Sequence, residues 1–184
     1  MKTLATALAF LIGMIQATGP AAAQATRPAR VFGPAIAEIQ DKVQVPLLLP
    51  SKLPAVLRRR DISVARGTVS DGGYRIELRY KGVDGSAGFA ALFTGSKSVG
   101  DVPNEIPETR RRRLANGTQA AFAPVSCGGS CGPANLWWAE KGVMYWIQIK
   151  LPSDTEEREQ EKLLLTTANA MVRVPSAKRS GTRQ

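Results

Sequence analysis

The sequence contains no histidine, and its 184 residues include only two cysteines, Cys127 and Cys131. The absence of imidazole removes a frequent general base of enzymes and a frequent nitrogen ligand of zinc. Two thiolates do not complete a tetrahedral metal site, so we predict no metal site and no cofactor. We also predict that the protein is not an enzyme and assign no catalytic residue, because no complete catalytic motif is found.

A short match to the G-x-S-x-G pattern of hydrolases occurs at residues 128–132. That pattern serves catalysis when the serine stands at a strand-to-helix turn beside a general base. Here a strand pattern follows, and the S-x-x-K and K-T-G motifs of lysine-assisted serine enzymes are absent. The match is therefore interpreted as a product of the glycine-rich composition.

Long apolar runs are missing after the N-terminal segment. Lys2 precedes an apolar run at residues 4–15, which is too short to span a bilayer, and alanines at 21–23 suit a signal peptidase. We predict a periplasmic or secreted protein without a transmembrane span; the alternative is an N-terminal membrane anchor. The predicted organisation is a signal peptide at 1–23, a flexible lead-in at 24–32, one domain at 33–174 and a disordered basic tail at 175–184.

Acidic residues are few relative to basic ones, with 15 Asp and Glu against 25 Lys and Arg and a formal net charge of +10. This balance favours contact with an anionic envelope polymer, an acidic envelope protein or the surface of a membrane. Nucleic acid is not predicted as a partner of an exported protein. The same charge can also serve solubility alone.

The two cysteines are predicted to form a disulfide, because export places them in an oxidising compartment. Three small residues separate Cys127 from Cys131, whereas thioredoxin-type motifs have two and precede a helix. Closing so small a loop constrains the unfolded chain by about 2 kcal/mol in the loop-entropy model. The alternative is a thiol oxidoreductase that uses this pair.

The middle of the chain predicts antiparallel strands, beginning with residues 56–69 and 74–80 on either side of turn residues 70–73. Apolar and charged residues alternate along residues 74–80, which is the pattern of a strand with one buried face. Along residues 143–149, Val143, Tyr145, Ile147 and Ile149 would share a core face, and the other face would be mixed. Asn116-Gly117 and Lys141-Gly142 predict two-residue hairpin turns. The segment at residues 43–54 contains three prolines and predicts an edge strand or an extended crossing.

Helical patterns flank the strands. Residues 34–42 predict a short helix. Leu164, Leu165, Ala168, Met171 and Val172 mark the apolar stripe of a longer helix that is capped near Ser153 and ended by Pro175. The expected fold class is α+β. It comprises a curved antiparallel sheet of about six to eight strands, a C-terminal amphipathic helix packed on one face and a short N-terminal helix.

Basic and aromatic residues supply the candidate binding site. Four consecutive arginines on one strand must point to both faces. Cross-strand pairing would bring Trp137 or Trp138 beside Trp146, depending on register. Such a tryptophan pair near a lysine can stack on a sugar ring or accept a cation. The alternatives are an arginine edge that discourages sheet aggregation and tryptophans that cover the core. The candidate residues are Arg110, Arg111, Arg112, Arg113, Lys150, Trp137, Trp138 and Trp146.

The chain resembles small exported bacterial proteins of unknown function, whose pattern also occurs in the outer portions of some anti-sigma-factor and lipoprotein-like chains. The resemblance covers roughly residues 35–173. It implies an α+β domain that binds or senses at the cell envelope, and it carries over no catalytic residue. The matching features are residues 46–50, Leu53-Pro54, residues 74–80, Trp137-Trp138, Gly142, Tyr145 and the helix around Leu164, Ala168 and Asn169.

These observations favour a non-catalytic periplasmic or secreted domain that binds an anionic envelope component or an envelope protein. The rival hypothesis is an envelope enzyme, either a carboxylate-based hydrolase or a thiol oxidoreductase. A purely structural envelope scaffold is the third alternative.

Overall fold

A computed structural model describes residues 27–58, 61–97, 109–128 and 130–175. The predicted signal peptide and most of the basic tail lie outside these ranges, as do Arg59 and Arg60. Within them the chain forms an α+β fold, as expected. Its helices are α1 (Gly33–Ile39), α2 (Ala55–Arg58) and α3 (Glu157–Asn169). Its strands are β1 (Leu48–Pro50), β2 (Ile62–Ser70), β3 (Gly73–Tyr80), β4 (Phe89–Lys97), β5 (Arg110–Arg113), β6 (Gln119–Ala123), β7 (Ser126–Gly128), β8 (Ser130–Gly132), β9 (Ala134–Glu140), β10 (Val143–Ile149) and β11 (Met171–Arg173).

The main sheet has seven strands in the order β2-β3-β4-β10-β9-β6-β5, and every neighbouring pair is antiparallel. The predicted antiparallel sheet with a C-terminal helix is confirmed. The seven described strands do not form a closed or strongly curled sheet, so the expected curvature stays a prediction.

Two tight turns set the register of the β2–β3 and β9–β10 hairpins. Asp71 and Gly72 have φ of 50° and 73°, and Lys141 and Gly142 have φ of 52° and 75°. Both central residues of each turn are thus left-handed, the geometry that matches the twist of a two-residue hairpin. The turn at Asn116-Gly117 is wider than predicted, since Leu114 N donates to Thr118 O and closes a larger loop.

The first face of the sheet carries the main core, because the apolar members of each alternating strand point to it. Ile76, Phe93, Phe122, Leu136 and Ile147 are each 0% exposed and belong to one cluster. Helices α1, α2 and α3 contribute their buried residues to the same cluster. We call the opposite side of the sheet the second face.

The domain begins earlier than the boundary at residue 33. A 3-10 turn at Arg30–Phe32 precedes α1, and Phe32 is 0% exposed. Its ring meets that of Phe93 edge-on, with centroids 5.3 Å apart. Part of the predicted lead-in therefore belongs to the core.

Helix α3 differs from its predicted bounds at both ends. Its N-cap is Glu156, with no side-chain cap hydrogen bond, so Ser153 does not cap it. Its last residue is Asn169, and Val172 pairs with Leu49 in the two-stranded sheet of β1 and β11. This pairing overrides the helical pattern that continued toward Pro175, because strand hydrogen bonds satisfy the backbone as well as helical ones.

The sheet of β1 and β11 joins the two ends of the domain. Ala29 N donates to Pro50 O over 2.9 Å, and Pro50 pairs with Met171. Val174 N donates to Leu47 O over 2.8 Å. The predicted edge character of the proline-rich segment is thereby confirmed.

Across residues 27–58, 61–97, 109–128 and 130–175, no helix has the length and apolar character that a membrane crossing requires.

Candidate functional site

Strand β5 divides its four arginines between the two faces of the sheet. Arg110 pairs with Phe122 and Arg112 with Ala120, in register with core residues of the first face. Arg111 pairs with Ala121, which belongs to a separate cluster on the second face. As expected from the sequence, the arginine run points to both faces of the sheet, and its members have different roles.

Arg110 and Arg112 anchor α3 to the sheet. Arg112 Nε donates to Glu161 Oε1 over 2.5 Å, and its Nη2 donates to Glu161 Oε2 over 2.7 Å. Arg110 forms an ion pair with Glu157, one helical turn earlier, and its Nη2 donates to Glu157 Oε2. Two of the predicted ligand-binding arginines are therefore bound to carboxylates of the protein itself.

The Arg112–Glu161 hydrogen bonds favour the charged form of both groups. They raise the pKa of Arg112 above its ordinary value and lower that of Glu161, against an opposing effect of partial burial.

Asn169 Oδ1 accepts from Ala115 N, and Gln160 Oε1 accepts from Val125 N, each over 2.8 Å. Polar contacts thus fix α3 along its length.

The second face aligns arginine and tryptophan in one cross-strand row. Strand register places Trp137 opposite Trp146. On one side Ala121 separates Trp137 from Arg111, and on the other Thr94 separates Trp146 from Arg75. Neighbouring strands lie about 4.8 Å apart, so each arginine stands about 10 Å along the row from the nearer tryptophan. We call this series the tryptophan row.

The tryptophan pair is rigidly held. The rings of Trp137 and Trp146 are stacked, with centroids 5.9 Å apart and planes 15° apart. Asn135 Oδ1 accepts from Trp146 Nε1 over 2.9 Å and from Gln148 Nε2 over 2.8 Å. Trp137 is only 7% exposed, whereas Trp146 is half-buried. Trp146 is therefore the more accessible of the two rings.

Trp138 and Lys150, two further candidates, have structural partners. Trp138 stacks on Tyr145 in the main core, with centroids 5.4 Å apart, and is 2% exposed. Lys150 Nζ donates to the carbonyl oxygens of Ser86 and Ala87 over 3.1 and 3.2 Å. Neither joins the tryptophan row.

Arg75 belongs to the tryptophan row although sequence reasoning did not select it. Its side chain is 52% exposed and lies 3.6 Å from Glu77 Oε2. The alternation of residues 74–80 marked it as a solvent-facing residue, but only the strand order brings it to the side of Trp146. Arg113 lies on the same face and donates to Gly117 O over 3.3 Å.

The disulfide lies apart from this row. Cys127 and Cys131 are bonded and directly opposite each other in the β7–β8 hairpin. Both cysteines are exposed, as are the other described residues of the hairpin. The predicted disulfide is confirmed as the cross-link of a projecting hairpin between β6 and β9.

Two buried tyrosines have raised pKa values. Burial raises the pKa of Tyr74, and burial together with the charge of Glu140 raises that of Tyr145 to about 12. Both hydroxyls donate to backbone carbonyl oxygens, Tyr74 to Leu48 O and Tyr145 to Pro46 O. No group of three or more potential metal-binding side chains occurs in the described part of the chain.

Comparison of the chain with protein-family models, with curated proteins and with solved structures gave no match. The resemblance to anti-sigma-factor and lipoprotein-like domains therefore stays a prediction.

Proposed function

We propose that the protein is a non-catalytic binding domain of the bacterial cell envelope and that the tryptophan row binds an acidic polysaccharide. The ligand class follows from the side chains. An indole face stacks on a sugar ring, and guanidinium groups bind carboxylate or phosphate through paired hydrogen bonds.

The observation that carries the proposal is the position of Arg75 and Arg111 on either side of Trp137 and Trp146. Thr94, between Trp146 and Arg75, is smaller than either neighbour and only partly buried, as is the indole of Trp146. A sugar ring on Trp146 would place its acidic substituent toward Arg75. Asn135 holds the indole, so little conformational freedom is lost when a ligand binds.

A binding role is favoured over an enzymatic one by the chemistry available. The chain has no histidine, its cysteines are cross-linked, and its paired carboxylates Glu157 and Glu161 already bind arginine. Export is supported by the apolar N-terminal run and by the disulfide, which persists in oxidising compartments.

Binding to polygalacturonate, a polymer of acidic sugars, tests the proposal. Its methyl-esterified form is the matched control, because it keeps the sugar rings and loses the charge. We expect the protein to bind the acid form and to release it as salt rises, since the arginines are screened. Titration calorimetry at two salt concentrations measures this difference.

Variants with a matched loss of charge separate the site from general charge. Arg75→Gln with Arg111→Gln should weaken binding by about tenfold or more, the loss expected for two charge-assisted contacts. Arg110→Gln with Lys42→Gln removes the same number of charges outside the tryptophan row and should leave affinity unchanged. Equal losses in both variants would contradict the proposed site, and binding to an envelope protein but to neither polymer would favour a protein partner.

A further inference from the structure

A groove lies between α2 and the outer side of α3. It encloses about 430 Å³, within the range of small-molecule sites. Its apolar lining includes Leu53, Pro54, Leu163 and Ala170, all of which keep part of their surface accessible. Because α3 packs on the first face of the sheet, the groove is separated from the tryptophan row.

The rim of the groove is basic. Lys52, Arg58 and Lys162 line it together with one carboxylate, that of Glu159. All four side chains are exposed. Within the described part of the chain, Lys52, Arg58 and Lys162 form no ion pair, so the cations of the rim remain available.

An apolar floor below a cationic rim matches one kind of ligand, an amphiphile with an acidic head. A free acidic sugar would leave the apolar surface exposed to water, and a neutral lipid would leave the rim unpaired. We propose that the α2–α3 groove binds a single-chain anionic lipid, with its chain along Leu53 and Leu163 and its head between Arg58 and Lys162. This inference goes beyond the proposed function and does not depend on it.

Dodecyl phosphate, kept below its critical micelle concentration, is the probe for this site. Dodecyl maltoside supplies the same chain without the charge, and inorganic phosphate supplies the charge without the chain. We expect dodecyl phosphate to bind at least about tenfold more tightly than either, because only this probe both buries a chain on the apolar floor and pairs a negative charge with the basic rim. Similar affinity for the phosphate and the maltoside would overturn the proposal.

Chain length gives a second readout. Octyl, decyl and dodecyl phosphate should bind with increasing affinity, by up to about fourfold for each methylene that the groove buries. Affinity that does not change with chain length would contradict burial of the chain in the groove.

Surface variants locate the site while leaving the core intact. Arg58→Gln with Lys162→Gln should weaken dodecyl phosphate binding by at least about fivefold through loss of charge-assisted contacts. Lys42→Gln, at an exposed lysine that does not line the groove, is the matched control. Thr166→Trp, which adds a large ring at the exposed rim, should block the chain. Unchanged binding in these variants would refute the assignment.

Phosphatidylglycerol vesicles distinguish a bound lipid from a membrane surface. Cosedimentation with vesicles, without binding of monomeric dodecyl phosphate, would mean surface docking and would contradict the groove proposal. Polygalacturonate binding by the same variants is expected to be unchanged, so the two proposals can fail separately.

Discussion

Arg112 and Glu161 join β5 to α3 through two hydrogen bonds of 2.5 and 2.7 Å, and their side chains are 30% and 22% exposed. This pair is less accessible to solvent than the neighbouring pair of Arg110 and Glu157, whose side chains are 50% and 37% exposed. The two pairs differ in how strongly water screens them, and that difference can be measured.

Glu161→Gln should lower the free energy of unfolding by about 1 kcal/mol at neutral pH, since it removes a partly buried two-bond ion pair. The pKa of Glu161 is lowered in the folded protein, so its contribution is present above the ordinary value of about 4.3 and is lost as pH falls below it. Urea unfolding at pH 7 and pH 3 measures both effects. Glu157→Gln, in the more exposed pair, should lower the free energy of unfolding by less. If Glu161→Gln lowers it equally at pH 7 and pH 3, this assignment is refuted.

Asn135→Ala should destabilise the second face, because Trp146 Nε1 and Gln148 Nε2 both donate to the side-chain oxygen Oδ1 of Asn135. Leaving partly buried donors unpaired costs about 1–3 kcal/mol. Thermal unfolding measures the loss, and tryptophan fluorescence should change as the indole of Trp146 becomes free to move. Polygalacturonate affinity should fall as well, whereas Asn116→Ala, in an exposed turn, should leave that affinity unchanged.

Strongly alkaline solution should destabilise the protein through Tyr74 and Tyr145. Both pKa values are raised in the folded state, that of Tyr145 to about 12. The stability that the two tyrosines contribute is therefore fully present below the ordinary tyrosine pKa of about 10. It declines as pH rises above about 10, by up to about 1.4 kcal/mol per pH unit for each tyrosine. Unfolding experiments between pH 9 and pH 11.5 should show a shallower decline for Tyr145→Phe than for the wild type. Identical slopes would contradict this linkage.

Removal of the disulfide should affect the β7–β8 hairpin more than the core. The loop-entropy model gives about 2 kcal/mol for so short a loop if the native hairpin stays intact. Cys127 and Cys131 are exposed, so without the bond the hairpin can open while the main sheet remains folded. We therefore expect Cys127→Ser with Cys131→Ser to lower global stability by less than about 1 kcal/mol.

Hydrogen exchange locates that effect. Amide protons of the hairpin should exchange faster in the double variant, while those of β9 and β10 should keep their protection. Loss of protection throughout the sheet would mean that the disulfide supports the core.

Local sequence patterns predicted the elements that depend on neighbouring residues. Tyr145 and Ile147 point to the core as their alternation indicated, and the turn at Lys141-Gly142 has the expected geometry. The strand order depends on pairings between distant segments, for which a single sequence carries no periodic signal. For that reason the sequence left open whether Trp137 or Trp138 meets Trp146, and it did not place Arg75 in the same row.

Two segments whose local sequence suits both a helix and a strand were also predicted incorrectly. Arg58 ends α2, although its neighbourhood was interpreted as part of a strand, and Val172 belongs to β11 although its spacing continued the stripe of α3. In both places tertiary packing decides between conformations that the local sequence allows.

The sheet of β1 and β11 brings the two ends of the domain together, since Ala29 bonds to Pro50 and Pro50 pairs with Met171. A short peptide linker could therefore connect residue 175 to residue 27, and the ring could be opened at the exposed Lys141-Gly142 turn without moving a core residue. Such a circular permutant would display new termini at the far end of the β9–β10 hairpin. The same proximity would also let the whole domain be inserted as a cassette into a surface loop of another protein.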